Sequence, residues 1–350
     1  MKKVWIPLIV AFLVNCARSS AQGNFANIFV NGPSDVTKIM QAYSPPFFKM
    51  YGTDMNSAWV TTARAKKKFH FEITGGATIA FVPGSEKTYD VAKIGLSNNI
   101  TPNDPNNTIS PTFGGIGIGT AAVNIYALDH VHYIVHKLPS AVSKYLTTPQ
   151  IQASVGLWYN TDIIVRFVPT SSLGSEYGDA NTIGVGIKHD LTSDLSKDEP
   201  MPFDLAVYFG YTRSNYSYGL SVLPEAGAQP KDASQSTDFS NQEFAAHLNN
   251  YNVGAIISKK FGFIEPFVSL SYQNTQSTIG MYGNYPFTND FIGNKNVYTT
   301  FTDPVQFQST SLSSIRADIG AQAEWRFIKI FLSAGVAKYM SLSGGAGLQF

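Results

Sequence analysis

Arg316, Asp318, Gln322, Glu324 and Arg326 hold one parity of a stretch whose other parity is Ile315, Ala317, Ile319, Ala321, Ala323, Trp325 and Phe327. Successive side chains of an extended chain point to opposite faces, so this spacing sets a charged face against an apolar one. A ladder of mixed sign can line a polar passage, dock a charged segment, or neutralise itself. His70, Glu72, Arg166 and Lys188 take the polar parity of other alternating stretches and join the same face. The one metal-like cluster is Asp129-His130-Val131-His132 with His136. On a strand, His130, His132 and His136 would share a face; a helix would pair only His132 with His136. So short a cluster is weakly specific, and no metal or cofactor is expected. There is no His-Glu-x-x-His and no Gly-x-Ser-x-Gly. Gly115-Ile116-Gly117-Ile118-Gly119 has Thr120 where a dinucleotide turn needs its third glycine. The expectation is a protein that is not an enzyme. A Ser, His and Asp set gathered from separate strands is the catalytic route left open.

The elements that position these residues are strands. Phe69 to Phe81 alternates throughout, with Phe69, Phe71, Ile73, Gly75, Ala77, Ile79 and Phe81 on one face. That is long for a soluble strand and suits a tilted one that crosses a bilayer. Weaker strands are read at Tyr89 to Leu96 and Pro111 to Tyr126. Clearer hairpins follow: 150–158 with 162–168, 182–188 with 203–212, a strand around Tyr251, and a long one from Ile264. Ser311 to Phe327, Ile330 to Ala337 and the terminal stretch complete about twelve strands, with room for two more between 97 and 148.

The chain ends Ser343-Gly344-Gly345-Ala346-Gly347-Leu348-Gln349-Phe350, alternating to its last residue. Ser343, Gly345, Leu348 and Phe350 match the pattern of a C-terminal insertion signal of bacterial outer-membrane barrels. A barrel's last strand must pair with its first and face lipid. With Phe350 periplasmic, short turns at 159–161, 259–262 and 327–329 fall on the periplasmic side. Long loops at about 127–148, 214–242 and 286–300 fall outside. Trp158, Trp325 and Phe327 then stand where an interfacial aromatic girdle would lie.

Composition agrees. Charged residues make up 14% of the chain, below the usual quarter. Residues 1–21 carry a basic start, a short apolar run and the small-residue site Ser19-Ser20-Ala21, which together describe a secretory signal peptide. Cys16, the one cysteine, lies inside it, and Asn15 makes a poor lipidation site. Without Lys2, Lys3 and Arg18, the 25 basic residues fall to 22 against 24 acidic ones, a balance with no nucleic-acid character. Residues 22–66 precede the barrel. Ser34-Asp35 is expected to cap a short helix with Val36, Ile39, Met40 and Tyr43 on one face, stopped at Ser44-Pro45-Pro46. So apolar a segment is expected to plug the lumen or cover its periplasmic mouth.

Several segments carry a resemblance: Ile39-Met40-Gln41-Ala42-Tyr43-Ser44-Pro45-Pro46-Phe47-Phe48, Gly95 to Ile100, Gly184 to Asp190, Pro202 to Leu205 and Ser258 to Phe261. On these the chain resembles a domain-of-unknown-function family of secreted outer-membrane proteins, which implies no established activity. More distantly it is similar to the FadL-like transporters of long-chain fatty acids and hydrocarbons, which implies fourteen strands and an N-terminal hatch. The combined expectation is an all-β, transmembrane antiparallel β-barrel spanning 67–350 with a short helical N-terminal plug. Its function would be passive transport of a small or hydrophobic solute across the outer membrane. The alternative is a membrane anchor that binds a partner through its outer loops or plug. Outer-membrane lipid and the barrel-assembly machinery are the expected partners.

Overall fold

The structure is a computed structural model that describes residues 32–126, 131, 133–172, 178–195, 201–224, 226–292 and 295–350. Ten strands form a closed antiparallel barrel: β1 (Phe71–Phe81), β2 (Tyr145–Gly156), β3 (Thr161–Ser172), β4 (Asp179–Asp190), β5 (Asp204–Gly219), β6 (Glu243–Ser258), β7 (Ile264–Tyr282), β8 (Val305–Trp325), β9 (Ile328–Val336) and β10 (Met340–Gln349). Each pairs with its chain neighbours, and β10 closes the ring on β1 from Glu72↔Gln349 to Phe81↔Met340. Phe71 and Phe350 exchange backbone hydrogen bonds of 3.0 and 2.9 Å, and their rings stack with centroids 5.0 Å apart.

The expected count of twelve to fourteen strands is therefore corrected to ten. The two surplus segments lie in the long connection after β1. There, Thr88–Asp90 pairs with Ile109–Pro111, and Ile100–Pro102, Ala122–Tyr126 and Tyr133–Lys137 make a second small sheet. Pieces of three to five residues interrupted by Pro102, Pro111 and a glycine run are too short to cross a bilayer. A third small sheet joins 229–230, 284–292 and 295–302 at the same end.

Alternation sets the wall. In β7 the outward Val268, Leu270 and Tyr272 are exposed while the inward Ser269, Ser271 and Gln273 are buried. The outward apolar set continues around the barrel with Phe71, Ile73, Val165, Val185, Phe209, Val253, Ile319, Leu332 and Leu342. It is bounded at the short-turn end by exposed Trp158, Phe261, Phe263, Trp325 and Phe327. At the loop end Tyr211, Tyr251 and Tyr272 bound it, with the first two rings 5.1 Å apart.

Height is uneven. β9, β10 and β1 have 9, 10 and 11 residues, whereas β5, β6, β7 and β8 have 16, 16, 19 and 21. Beyond the tyrosines the outward residues of the tall strands turn polar: Arg213, Asn249, His247, Gln276 and Ser313. A bulge near Ser311 shifts the register between Thr275↔Leu312 and Gln276↔Thr310. It switches the inward parity of β8 from even (Leu312, Arg316) to odd (Val305).

Inside the barrel lie helices α1 (Pro33–Tyr43) and α2 (Pro45–Asn56). Ser44 breaks between them, and Pro45 opens α2 at a position where its missing N–H costs nothing. The apolar face of α1 is the expected one, Val36, Ile39, Met40 and Tyr43. Its expected Ser34-Asp35 cap does not form. Gly32 takes the N-cap position, and Asp35 instead accepts the Ser97 N–H and hydroxyl at 2.9 and 2.6 Å. No helix among the described residues is long and apolar enough to cross a membrane.

Candidate functional site in the barrel lumen

The chain enters at the loop end and runs down the lumen to the short-turn end before β1 begins. At the top, Val36, Ile39 and Met40 pack with Val91, Val123 and Ile125 of the first loop and Tyr285 and Phe287 of the last. The loops thus rest on α1 rather than standing free. Tyr43 donates its hydroxyl to the Ser140 carbonyl at 2.8 Å. Burial, with the nearby Tyr89 hydroxyl adding to it, pushes the Tyr43 phenol well above its ordinary range. Lys49 of α2 reaches Glu86 at 2.6 Å, and Glu86 also takes Lys338 at 2.6 Å and the Tyr339 hydroxyl at 2.7 Å. Burial alone would raise the Glu86 carboxyl. The hydrogen bonds from Lys338, Lys49 and Tyr339, with the Lys49 charge, outweigh it and hold the group below its ordinary value.

Midway, α2 is wrapped by wall side chains. Tyr51 meets Thr182 at 2.9 Å, Thr148 donates to Asp54 at 2.7 Å, and Asn252 donates to the Asn56 carbonyl at 2.5 Å. The last turn of α2 contains no basic residue. Arg166 of β3 supplies one: it donates to the carbonyls of Met55 and Ser57 at 2.8 and 3.0 Å. A cation at a helix C-terminus satisfies orphan carbonyls and the helix dipole together. The same guanidinium lies 4.0 Å from the Trp59 ring centroid. Gly186 and Gly210 make room for that ring, since a Cβ on either would overlap it.

Below Trp59 the segment runs as a strap between two acid–base clusters. On one side Arg64 pairs with Glu265 at 2.7 Å and lies 3.8 Å from both Asp204 and Glu324, while Lys260 reaches Glu324 at 2.5 Å. Burial would lower the pKa of the Arg64 guanidinium, but the Glu265 hydrogen bond and charge, with Glu324 and Asp204 behind them, outweigh it and raise the group above its ordinary value. On the other side Lys188 and Lys66 flank Asp162 at 3.0 and 3.5 Å, and Lys329 and Lys66 flank Glu72 at 2.9 and 3.7 Å. The strap backbone joins in. Lys188 donates to the carbonyls of Thr62 and Arg64, and the amides of Ala65 and Lys66 donate to Asp190 and Asp162. The space left here, among Trp59, Thr74, Gln150, Lys188 and Lys329, is about 40 Å³. That holds a few waters.

The residues named from sequence take distinct places. Glu72 and Lys188 meet through Lys66 and Asp162, and Glu324 belongs to the Arg64 cluster. Arg316 and Asp318 pair with each other at 2.8 Å, and Arg316 reaches Ser341 at 2.8 Å. Arg166 stands apart from these clusters, on the plug backbone. His70 and Arg326 are exposed at the short-turn end, outside the strands and away from the buried lumen set. Arg326 has φ 55° in the β8–β9 turn, and its guanidinium lies over Trp325. Parity reaches beyond its strand at both positions, and that is why it misplaces them. Ser343 is buried and meets Thr78 at 2.8 Å, while Leu348 and Phe350 are exposed. His130 and His132 lie outside the described residues, as do residues 1–31; His136 sits in the small strand Tyr133–Lys137. Among the described residues no group of three or more His, Cys, Asp or Glu is placed to hold a metal. Asp162, Glu265 and Lys329 were missed in the sequence. Each has the inward parity beside outward Ile163, Ile264 and Ile330, and that was the signal available.

The chain matches along residues 1–350 a family described as Family of unknown function (DUF6588), and it belongs to that family. No curated protein matches it in sequence. Among solved structures it is similar to the attachment invasion locus protein Ail of Yersinia pestis, in complex with the heparin analogue sucrose octasulfate. That likeness has 7% identity, covers 81% of this chain and 100% of that one, and has a TM-score of 0.29. The translocator domain of the autotransporter NalP from Neisseria meningitidis gives 12%, 81%, 90% and 0.29. A deletion mutant of the TodX monoaromatic hydrocarbon channel gives 9%, 87%, 76% and 0.26. Scores this low carry no weight for activity, and the barrel stands on its own strand pairing.

Proposed function

We propose that this member of a family of unknown function is an outer-membrane barrel kept shut by its own N-terminal segment. Its work is then done above the membrane, as an interaction surface built from the tall strands and the loops seated on α1. The membrane part rests on the apolar belt. Phe71 to Phe81 spans ten residue steps, which at about 3.4 Å each and a tilt near 40° is about 26 Å, close to the apolar band of outer-membrane barrels. Aromatic residues bound the belt on both sides, and polar residues begin beyond it. Lipid is the solvent that makes such an exterior stable.

The observation that supports the closed reading is the N-terminal segment running through the lumen from one end to the other. Residues 33–66 are fixed from end to end by core packing, helix capping and ion pairs, and the space left beside the strap is about 40 Å³. Planar-bilayer conductance of the intact protein tests it, and silence is the expected result. Current from a variant lacking 33–66, with its barrel verified by heat-modifiable gel mobility, would identify the segment as the closure. Steady current from the intact protein would overturn the reading.

Passive transport gated by movement of the segment is the second reading. It is favoured by buried polar atoms left without partners where plug meets wall: Asp54 Oδ1, Asn56 Oδ1, Asn252 Oδ1, Gln273 Oε1 and Arg316 Nη1. Such atoms mark an interface that admits water or rearranges. Asp54 of α2 and Thr148 of the wall meet side chain to side chain at 2.7 Å, so Asp54→Cys with Thr148→Cys, tied by a bifunctional thiol cross-linker, locks the segment to the wall. Intermittent current or solute uptake that the cross-link abolishes would establish transport.

A further inference from the structure

The wall of the barrel is incomplete on one side above the membrane belt. β8 pairs with β7 along its length, from Met281↔Val305 to Ile264↔Ala323. Its pairing with β9 begins only at Ala317↔Val336. Among the described residues, Val305–Arg316 therefore have no strand on their other side, and no other backbone–backbone hydrogen bond reaches them; of their carbonyls, Ser309 accepts the Ser277 hydroxyl at 3.3 Å. The bulge near Ser311 divides this edge, so the regular part is Val305-Gln306-Phe307-Gln308-Ser309-Thr310. The edge stands clear of the apolar belt, since Ile315, paired with Tyr272, is the last apolar outward residue of β8 before polar Ser313, Gln308 and Gln306.

Free edges in water are normally blunted by lysine, proline or a cover. This one carries no charge and no proline between Val305 and Thr310. Beside it opens a cavity of about 240 Å³ lined by Gln41, Ser44, Pro45, Phe48, Ile279 and the edge residues Phe307, Gln308 and Ser309. Phe48, Ile279, Phe307 and Pro45 give it an apolar floor, and the two glutamines and two serines give it a polar rim. A cavity of about 150 Å³ already takes up benzene, so this one admits an aromatic or leucine side chain.

We propose that the upper edge of β8 is a strand-addition site for an extended peptide of a partner protein, which places one large apolar side chain in the cavity beside Phe48. Unpaired backbone groups select an extended chain by main-chain hydrogen bonds, and a pocket beside the edge supplies the side-chain preference. A second copy fits less well. Two barrels in one membrane are related by rotation about its normal, so their β8 edges would meet only in parallel, the weaker pairing. The assignment rests on the proposed role as a surface interaction protein and names the class of its partner.

The test uses the intact protein in lipid nanodiscs and a displayed library of random eight-residue peptides, with empty nanodiscs as the counter-selection. Enriched peptides are expected to alternate and to carry one large apolar residue. They should protect amides of 305–310 from hydrogen exchange and bind at least tenfold more weakly when N-methylated at alternate residues. Ser309→Trp, which fills the cavity, should weaken them similarly; the N-methyl control holds even if that variant misfolds. No enrichment over empty nanodiscs, equal binding of the N-methylated peptides, or burial of the edge by self-association would overturn the assignment. Conductance reports separately on the closed barrel, so a silent barrel that enriches no peptide sinks this inference alone.

Discussion

Arg166→Met is the sharpest probe of how the segment is held. Arg166 is fully buried and bonds the carbonyls of Met55 and Ser57 and the Gln152 amide oxygen, the last at 3.0 Å, while stacking on Trp59. Methionine keeps the length and the apolar stem but leaves two helix-end carbonyls without donors, at about 1–3 kcal/mol each. The lost cation–π contact adds about 1 kcal/mol. Against this, methionine no longer buries a charge, which returns part of the loss. The net cost to docking of the segment is about 3 kcal/mol, roughly a hundredfold in its undocked population. Ser57→Cys, in a background without Cys16, reports that population through its rate of maleimide labelling, because Ser57 is fully buried when docked. Labelling should accelerate about a hundredfold while heat-modifiable gel mobility stays unchanged. An unchanged rate would show that Arg166 does not hold α2, and the capping argument would fall.

Two further outcomes follow from the same geometry. Gly210→Val would drive a side chain into the Trp59 ring and should cost about 1–3 kcal/mol; the accompanying Trp59 fluorescence change would be absent if the ring had free space. The Glu86 contacts to Lys49, Lys338 and Tyr339 should make stability depend on pH. The folded pKa of Glu86 lies below its ordinary value of 4.5, so this contribution is complete above that value and is lost as pH falls through the folded one. Glu86→Gln should therefore lower the melting temperature at pH 7, and the gap to the unsubstituted protein should close under acid. A gap that persists at pH 2 would mean that packing, not ionisation, carries the contact.

Much of the wall was legible because lipid outside and polar side chains inside impose a strict period of two. The stretch from Ile315 to Trp325 could be read residue by residue. The strand count failed where apolar content had a different cause. Val91, Ile100, Val123 and Ile125 are apolar because they cover α1, not because they face lipid. A window of composition does not separate those two reasons. The bulge near Ser311 was likewise hidden, since a parity switch in a Ser/Thr run has no hydrophobic signal. The ion clusters were half legible. Glu72, Lys188 and Glu324 stood out by parity, while Asp162, Glu265 and Lys329 sit at strand ends where the alternation has only begun; Lys66 and Arg64 lie on an irregular strap, and only the closed fold brings Lys66 between Asp162 and Glu72.

The way α1 is used bears on the choice between surface and channel. Val36, Ile39 and Met40 are each at least 97% buried under the first and last loops, and burying such side chains stabilises by about 1.5–3 kcal/mol apiece. Sliding the segment far enough to open a path would strip α1 from that core at a cost of about 5 kcal/mol or more, before any ion pair at the strap is broken. A resting protein would then show the open form less than about once in a thousand. Opening would need a partner that binds the open state more tightly by that same amount. The cap and the plug are one packed body, so an influence on the lumen has to come through the surface above it. On the transport reading, binding at the loop end would have to come before passage, and on the surface reading binding there is the whole function, so the free edge of β8 comes ahead of the lumen as the place to begin.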